Sequence, residues 1–443
     1  MRNLVAVLLL SMCYGIPQAF ATPPAIPDTP AGHTLQAWLD AFNSADEARV
    51  KAYCQKYDHP NPPEVMLDFS RRMGGFELVA VDQSQPLHIE FRVKEKASPR
   101  MGMGVIDVKD GDPVKITGFR LRPIPPGMSA ADLQVKVDTA VRGRVLDGIA
   151  AKLTEFYVFP DLAKKMVDAL RAHQRKGEYD KVDNGYTFAT LLTDQLQAVS
   201  HDKHLRVECV PKALPKEEEP PKQEEPTIDA EMRAQLERDN CGFEKVERLE
   251  SNIGYVKFNF FGEPTVCGPT ATAAMNFLGN VDAIIFDLRS NGGGDPKMVA
   301  YLSSYLFNER THLNDLWERK TNKTTEYWTK PDVPGKKLAG KLVFVLTSKG
   351  TFSGAEEFSY NLKNLKRATI VGEVTGGGAH PTDGHRVDDH FLVAVPFARA
   401  VNPISKTNWE GKGVEPDFKV PAIQALEKAK ALAIEQLAKP RRK

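Results

Sequence analysis

The chain carries almost no net charge, with 59 Lys and Arg against 58 Asp and Glu in 443 residues. A surface so balanced offers no field to attract nucleic acid or an anionic membrane, and neither is expected as a partner. Long apolar runs are missing too. Beyond the first residues, no segment approaches the roughly 18 uncharged apolar residues of a bilayer span. There is no His-Glu-x-x-His helix, no P-loop Lys-Ser/Thr and no dinucleotide glycine spacing. No metal and no cofactor are therefore expected. Cysteine is scarce, at 5 residues.

The first residues read as an export signal. Arg2 is followed by the apolar run LVAVLLLSM (4–12) and then by the small-x-small set Ala19, Phe20 and Ala21. A signal peptide at 1–21 predicts a periplasmic or secreted protein with no membrane span once it is removed. The alternatives are a membrane-anchoring first helix and lipid attachment at Cys13, against which the bulky Met12 argues. Cys54, Cys209, Cys241 and Cys267 would remain. Cys209 and Cys241 flank a charged stretch, which suggests a disulfide staple between them; buried free thiols are the other reading.

Composition divides the rest. Residues 31–127 mix a helix-spaced stripe (Leu35, Trp38, Leu39, Phe42) with strand-like runs at 76–81, 87–93 and 114–121, so a small α+β accessory module is expected. Residues 130–209 carry helical periodicity and read as a helical bundle. A charged Pro-rich linker is expected at 210–240, centred on KEEEPPKQEEP. From 241 to 425 strands and helices alternate, and AIIFDL (283–288) is apolar enough for a sheet covered on both faces. A last helix and basic tail occupy 426–443. The fold class is α/β.

Three segments of the 241–425 domain carry chemistry. A strand ends in Asp287, Leu288, Arg289, Ser290, Asn291 and the glycines 292–294, which allow close backbone approach to a bound group. Ser353 lies between a strand ending at Leu346 and a helix, where the Gly354 N–H would face a developing oxyanion. Ser353 and Glu356 also have capping-box spacing, so a plain helix cap is equally compatible. A turn-rich tail then holds Glu410.

In chain order, IGYVKF (253–258), IIFDLRSNGGG (284–294), VLTSKGTFSGAEEFSYNLKNLKRATIVGEVTGGGAHP (345–381) and NWEGKGVEPD (408–417) closely resemble the tail-specific (C-terminal-processing) serine peptidase family. The nearest branch is that of the tricorn-protease core and the interphotoreceptor retinoid-binding protein repeats. The resemblance implies a crotonase/Clp-type ββα spiral preceded by a helical bundle. It implies Ser353 as nucleophile, with Gly354 and Gly293 as oxyanion donors. Members with a Ser–Lys dyad carry lysine where Gly378 stands, and Lys349 lies in a loop expected to be exposed, so a lysine base is disfavoured. The tricorn-like branch implies His204, within SHDKHLR (200–206), as base and Glu410 as part of a supporting relay. His380, in GGGAHP, is the runner-up base. His201 reads as a surface or capping residue, and His33, His59, His88, His173 and His312 as structural.

The expected function is a serine-type peptidase acting on peptides or proteins through an acyl-enzyme on Ser353. The alternative is a non-catalytic protein binding hydrophobic ligands or peptides on the same scaffold. The 210–240 linker has no room for a separate PDZ-like domain, and nothing in the sequence sets an oligomeric state.

Overall fold

A computed structural model describes residues 24–60, 62–124, 135–215, 228 and 230–439. The export-signal reading at 1–21, the last residues (125–127) of the expected accessory module, the KEEEPPKQEEP run and residues 440–443 lie outside them. Among the described residues, no helix is long and apolar enough to cross a membrane.

Helices α1 (Pro30–Ser44), α2 (Glu47–Tyr57) and α3 (Pro63–Met73) pack on an antiparallel sheet of β1 (Phe76–Gln85), β2 (His88–Glu95), β3 (Met101–Lys109) and β4 (Lys115–Ile124). Thr29 starts α1, its hydroxyl accepting the Gly32 N–H at 3.0 Å, with Pro30 in the first turn. The Leu35, Trp38, Leu39 and Phe42 stripe faces Ile89, Phe91 and Val93 in one core. The pattern at 31–127 did not reveal α2, α3 or β3. Strand β3 was hidden by its glycines: a Cβ on Gly104 would fall 2.2 Å from Cζ of Phe91, so the ring occupies that space.

Helices α4 (Thr139–Phe156), α5 (Pro160–Arg175) and α6 (Gly185–Ser200) follow, but the expected all-helical segment ends in a strand, β5 (Arg206–Cys209). The linker is also shorter than predicted. Val210 and Leu214 donate backbone hydrogen bonds to His390 and Asp389, and α7 (Ala230–Arg238) is helical.

The remaining elements are β6 (Phe243–Leu249), β7 (Ile253–Phe258), α8 (Pro264–Phe277), β8 (Ala283–Asp287), α9 (Pro296–Ser304), β9 (His312–Glu318), β10 (Lys323–Trp328), β11 (Leu342–Thr347), α10 (Gly354–Asn364), β12 (Thr369–Gly372), β13 (Thr382–Asp388), β14 (Phe391–Pro396), β15 (Ala398–Val401), β16 (Phe418–Lys419) and α11 (Ala425–Ala438). The central sheet runs β16-β12-β11-β8-β7-β6, parallel except for the β6 edge. Its strands are apolar on both faces because both are covered. Ile284, Phe286, Val343 and Val345 meet α8, α9 and α10, whereas Ala283, Ile285, Phe344 and Leu346 meet α11. Ala425, Ala429 and Ala433 of α11, spaced by one turn, let that helix lie close. Each fully buried Ile or Phe contributes about 1.5–3 kcal/mol. Two smaller sheets, β10-β9-β15 and β13-β14-β5, flank this core. Strand β5 thereby draws α4–α6 and β14 into one shared apolar cluster.

The disulfide expectation is corrected. Cys241 pairs with Cys267, with Cα atoms 5.4 Å apart, and Cys54 and Cys209 are buried free thiols. Cys209 is committed to the α4–α6 core, whereas Cys241 faces α8 in the core of the central sheet.

His88 carries a pH signature. Its Nδ1 lies 2.6 Å from Asp107 Oδ1 and its Nε2 3.4 Å from Glu90 Oε1, and these bonds push its pKa up to about 9. A raised folded-state pKa gives stabilisation that is complete below the ordinary histidine value and lost as pH rises through about 9. His88→Gln should therefore lower Tm near pH 6 and match the wild type above pH 9; an equal deficit at both ends would contradict this.

Candidate active site

The C-terminal ends of β8, β11 and β12 send three loops to one edge of the sheet, where ligands of open parallel sheets bind. The loops interlock. Thr351 Oγ1 donates to the Leu288 carbonyl at 2.8 Å, and Ser348 Oγ to the Arg289 carbonyl at 2.5 Å. Phe352 N donates to Asn291 O at 3.0 Å, and Gly376 N to Thr351 O at 2.9 Å. Below them, Asp287 is fully buried at the end of β8. Burial opposes its charge, but the Arg289 guanidinium (2.6 and 2.8 Å) and the Tyr255 hydroxyl (2.6 Å) hold its pKa below the usual carboxylate value.

Ser353 precedes α10 with φ 52° and ψ −120°. A capping serine has extended, negative-φ backbone. Here the residue occupies a strained conformation, costing about 1–3 kcal/mol, at the last position of the loop between β11 and α10. Its N–H donates to Glu356 Oε2 at 2.9 Å. The buried Glu356 carboxylate also accepts from Thr375 Oγ1 (2.5 Å), Gly377 N (2.7 Å) and Gly378 N (2.8 Å). Burial pushes its pKa up to about 7 against these donors. The capping box is thus formed, and Glu356 in addition ties the Ser353 turn to the third loop.

Gly293, at φ 103°, lies against that turn: a Cβ there would fall 2.6 Å from Ser353 Cβ and 2.7 Å from Gly354 N. Its own N–H donates to Asn291 Oδ1 at 2.9 Å, which corrects the expectation that it is an oxyanion donor. The Gly294 and Gly354 N–H groups have no acceptor among the described residues. A Cβ on Gly354 would sit 3.0 Å from Gly294 N, so the two glycines adjoin.

His204 is buried beside Ser353's neighbour, its ring centroid 4.6 Å from that of Phe352. Neither ring nitrogen has a hydrogen-bond partner among the described residues, and burial lowers its pKa to about 4. It is a neutral imidazole held against the loop that carries Phe352 and Ser353. A Cβ on Gly378 would fall 2.3 Å from Phe352 Cζ and 2.6 Å from His204 Cε1, so no side chain fits there. Lys349 is exposed.

Glu410 approaches His380 rather than His204. Its Oε2 accepts the Ala379 N–H at 2.5 Å and lies 3.5 Å from His380 Nδ1. That nitrogen also lies 2.7 Å from Asp202 Oδ2. Asp202 Oδ1 in turn accepts the His204 backbone N–H at 3.0 Å, 3.9 Å from His204 Nδ1. Asp202 therefore stands between the two histidines. Sequence reasoning passed it over, although its place two residues before His204 was the available signal. Burial pushes the Glu410 carboxyl up to about 7, with nearby His380 opposing. His201 caps α6 in left-handed conformation, facing solvent.

One donor atom each from Asp202, His380 and Glu410 lies within 4.8 Å of the others, the only such metal-ligand set among the described residues. The set is closed by its own hydrogen bonds, because His380 Nδ1 bonds Asp202 and Glu410 bonds the Ala379 N–H.

The chain is 27% identical over 177 residues to the chloroplastic carboxyl-terminal-processing peptidase 2 of Arabidopsis thaliana, covering 38% of this chain and 32% of that protein. It is 24% identical over 195 residues to a CtpA-like serine protease of Staphylococcus haemolyticus (strain JCSC1435), covering 44% and 38%. The chain thus spans about a third of the length of these curated relatives. A photosystem II D1 C-terminal processing protease structure is similar over 38% of this chain and 42% of that one, at 26% identity and TM-score 0.33. The tricorn protease structure is similar over 82% and 47%, at 13% identity and TM-score 0.43. The sequence model of peptidase family S41 matches residues 252–420, and that of the family's N-terminal domain in eukaryotic IRBP matches 131–239. With both parts present and together covering most of its length, the chain belongs to peptidase family S41.

Proposed function

We propose that the protein is a serine peptidase, built on a crotonase/Clp-type ββα spiral, that hydrolyses peptide or protein substrates through an acyl-enzyme on Ser353. The observation that carries this reading is the backbone of Ser353, which caps α10 yet is held at φ 52° and ψ −120°, a strained conformation that a plain helix cap does not need. In the proposed reaction Ser353 Oγ attacks the scissile carbonyl carbon and forms the C–O bond as its proton passes to neutral His204. The oxyanion lies against the Gly354 and Gly294 N–H groups at the positive end of α10. His204 then gives its proton to the leaving amine as the C–N bond breaks. Water repeats the sequence to free the acid and restore the serine.

Asp202 orients the base, and Glu410 supports it through His380 and Asp202. A histidine rather than a lysine base is supported by the filled space around Gly378. A second reading makes His380 the base, favoured by its Asp202 bond at 2.7 Å, which resembles a base and its orienting acid. The Cys241–Cys267 disulfide suits the oxidising, extracytoplasmic location that the first 21 residues suggest.

A peptide-library digest tests the activity: wild type should cleave and Ser353→Ala should not, with both folded. Equal, negligible cleavage by both would favour the non-catalytic binding protein. His204→Ala should fall to near the Ser353→Ala level and His380→Ala should retain more activity; the reverse order would assign the base to His380.

Gly293→Ala should cut kcat by about 100-fold or more, since misplacing reacting groups by about 1 Å is that costly. Unchanged kcat would show that the close contact with Ser353 is dispensable.

The acid limb of kcat/KM should fall near pH 7, as Glu410 takes up a proton, and not near 4, where His204 titrates. Glu410→Gln should lower activity and remove that limb; a limb unmoved by the substitution would exclude Glu410 from it.

A further inference from the structure

The accessory module reaches the catalytic loops through one face of α3. Glu64, Asp68 and Arg72 lie four residues apart and so share that face. Asp68 Oδ2 accepts the Ser290 hydroxyl at 2.6 Å and meets Lys257 Nζ at 2.5 Å. Lys257 also pairs with Glu244 at 3.0 Å, and Arg72 Nε lies 3.8 Å from the same carboxylate. Beside them, Val65 fills the space over Gly350 in the nucleophile loop, where a Cβ would lie 2.8 Å from Val65 Cγ2.

The two partners of Asp68 belong to two layers of one assembly. Lys257 is near the end of β7, and the next residues carry the loop containing Ser290. Asn291 Nδ2 donates to Phe258 O at 2.9 Å, Gly292 N to Asn259 O at 3.0 Å, and Phe261 N to Gly293 O at 2.7 Å. Asn291 is also the residue whose side chain takes the Gly293 N–H and whose carbonyl takes the Phe352 N–H. One carboxylate of the module therefore holds the glycine loop and the strand end beneath it, one residue from the hinge that sets Gly293 and Gly294 against Ser353. Isolated exposed ion pairs contribute little. This one differs because the side chains of Asp68, Lys257 and Glu244 are only 18%, 16% and 19% exposed, and because Asp68 also bonds the loop itself.

We propose that Asp68 is a positioning residue through which the accessory module braces the glycine loop of the active site. The module then acts as part of the peptidase. The effect on turnover rests on the peptidase reading above; the brace itself does not.

Full-length Asp68→Asn, Asp68→Ala, Ser290→Ala and the Asp68→Ala/Ser290→Ala double variant test it by hydrogen exchange and by peptide hydrolysis. Exchange at 289–294 should rise about tenfold in Asp68→Ala and in Ser290→Ala, with β8 and β11 unchanged, because a local opening and not global unfolding is released. kcat should fall about tenfold to 100-fold with KM within about twofold. The double variant should be no worse than Asp68→Ala alone, since both remove one contact. Exchange at 289–294 that matches the wild type, or losses that add in the double variant, would overturn the proposal. Ser290→Ala leaves the Asp68–Lys257 pair in place, so it decides the matter if Asp68→Ala fails to fold. If the wild type cleaves nothing, the peptidase reading fails while the exchange result still decides the brace.

Discussion

A serine held at φ 52° where the loop after a buried parallel strand enters a helix is the constraint on which the site depends. Its conformation is unfavourable by itself and needs neighbours that leave no other option. Glu356 holds the Ser353 N–H from one side, and Gly293 approaches so closely that any Cβ would collide with the serine. The same Glu356 carboxylate takes the N–H groups of Gly377 and Gly378. The glycine loop, the nucleophile turn and the third loop are thus parts of one hydrogen-bonded unit. The central sheet keeps that unit rigid: β8 and β11 are buried on both faces and cannot shift independently.

Burial sets the electrostatics of the site. His204 loses solvent without gaining a partner, so the neutral, proton-accepting form wins. Glu410 is also desolvated, but His380 nearby limits the effect, and its carboxyl is balanced near neutrality. Asp287 shows the opposite result a short distance away. A complete set of donors from Arg289 and Tyr255 overrides desolvation and leaves a fixed negative charge beneath the loops. Asp287 is therefore held charged, whereas burial leaves His204 without a charge and brings the Glu410 carboxyl close to neutrality.

Much of the fold was legible because apolar patterning dictates it. AIIFDL is apolar at every position but one, and a strand covered on both faces is its direct reading. Strand β3 was not legible, because Gly102 and Gly104 remove the alternating side chains that mark a strand, and the reason lies across the sheet in Phe91. The disulfide was misread because Cys209 and Cys241 are separated by a charged stretch in sequence but belong to different cores in space. At the site, Ser353 was visible but its strain was not, since a backbone angle is not written in a sequence and the capping box that its spacing suggested is formed. The contact between Gly293 and Ser353, and the bond from the Gly293 N–H to Asn291, depend on loop geometry that the glycine run alone does not show. The Asp202 and His380 link joins residues 178 positions apart, and no local spacing could reveal it.

The account stands on Ser353 as an activated nucleophile, and covalent trapping tests that most directly. Folded protein treated with a fluorophosphonate and digested should yield a single adduct, mapped by tandem mass spectrometry to Ser353 and absent after prior unfolding. No adduct on the folded protein, or one on another serine with Ser353 unmodified, would contradict the account.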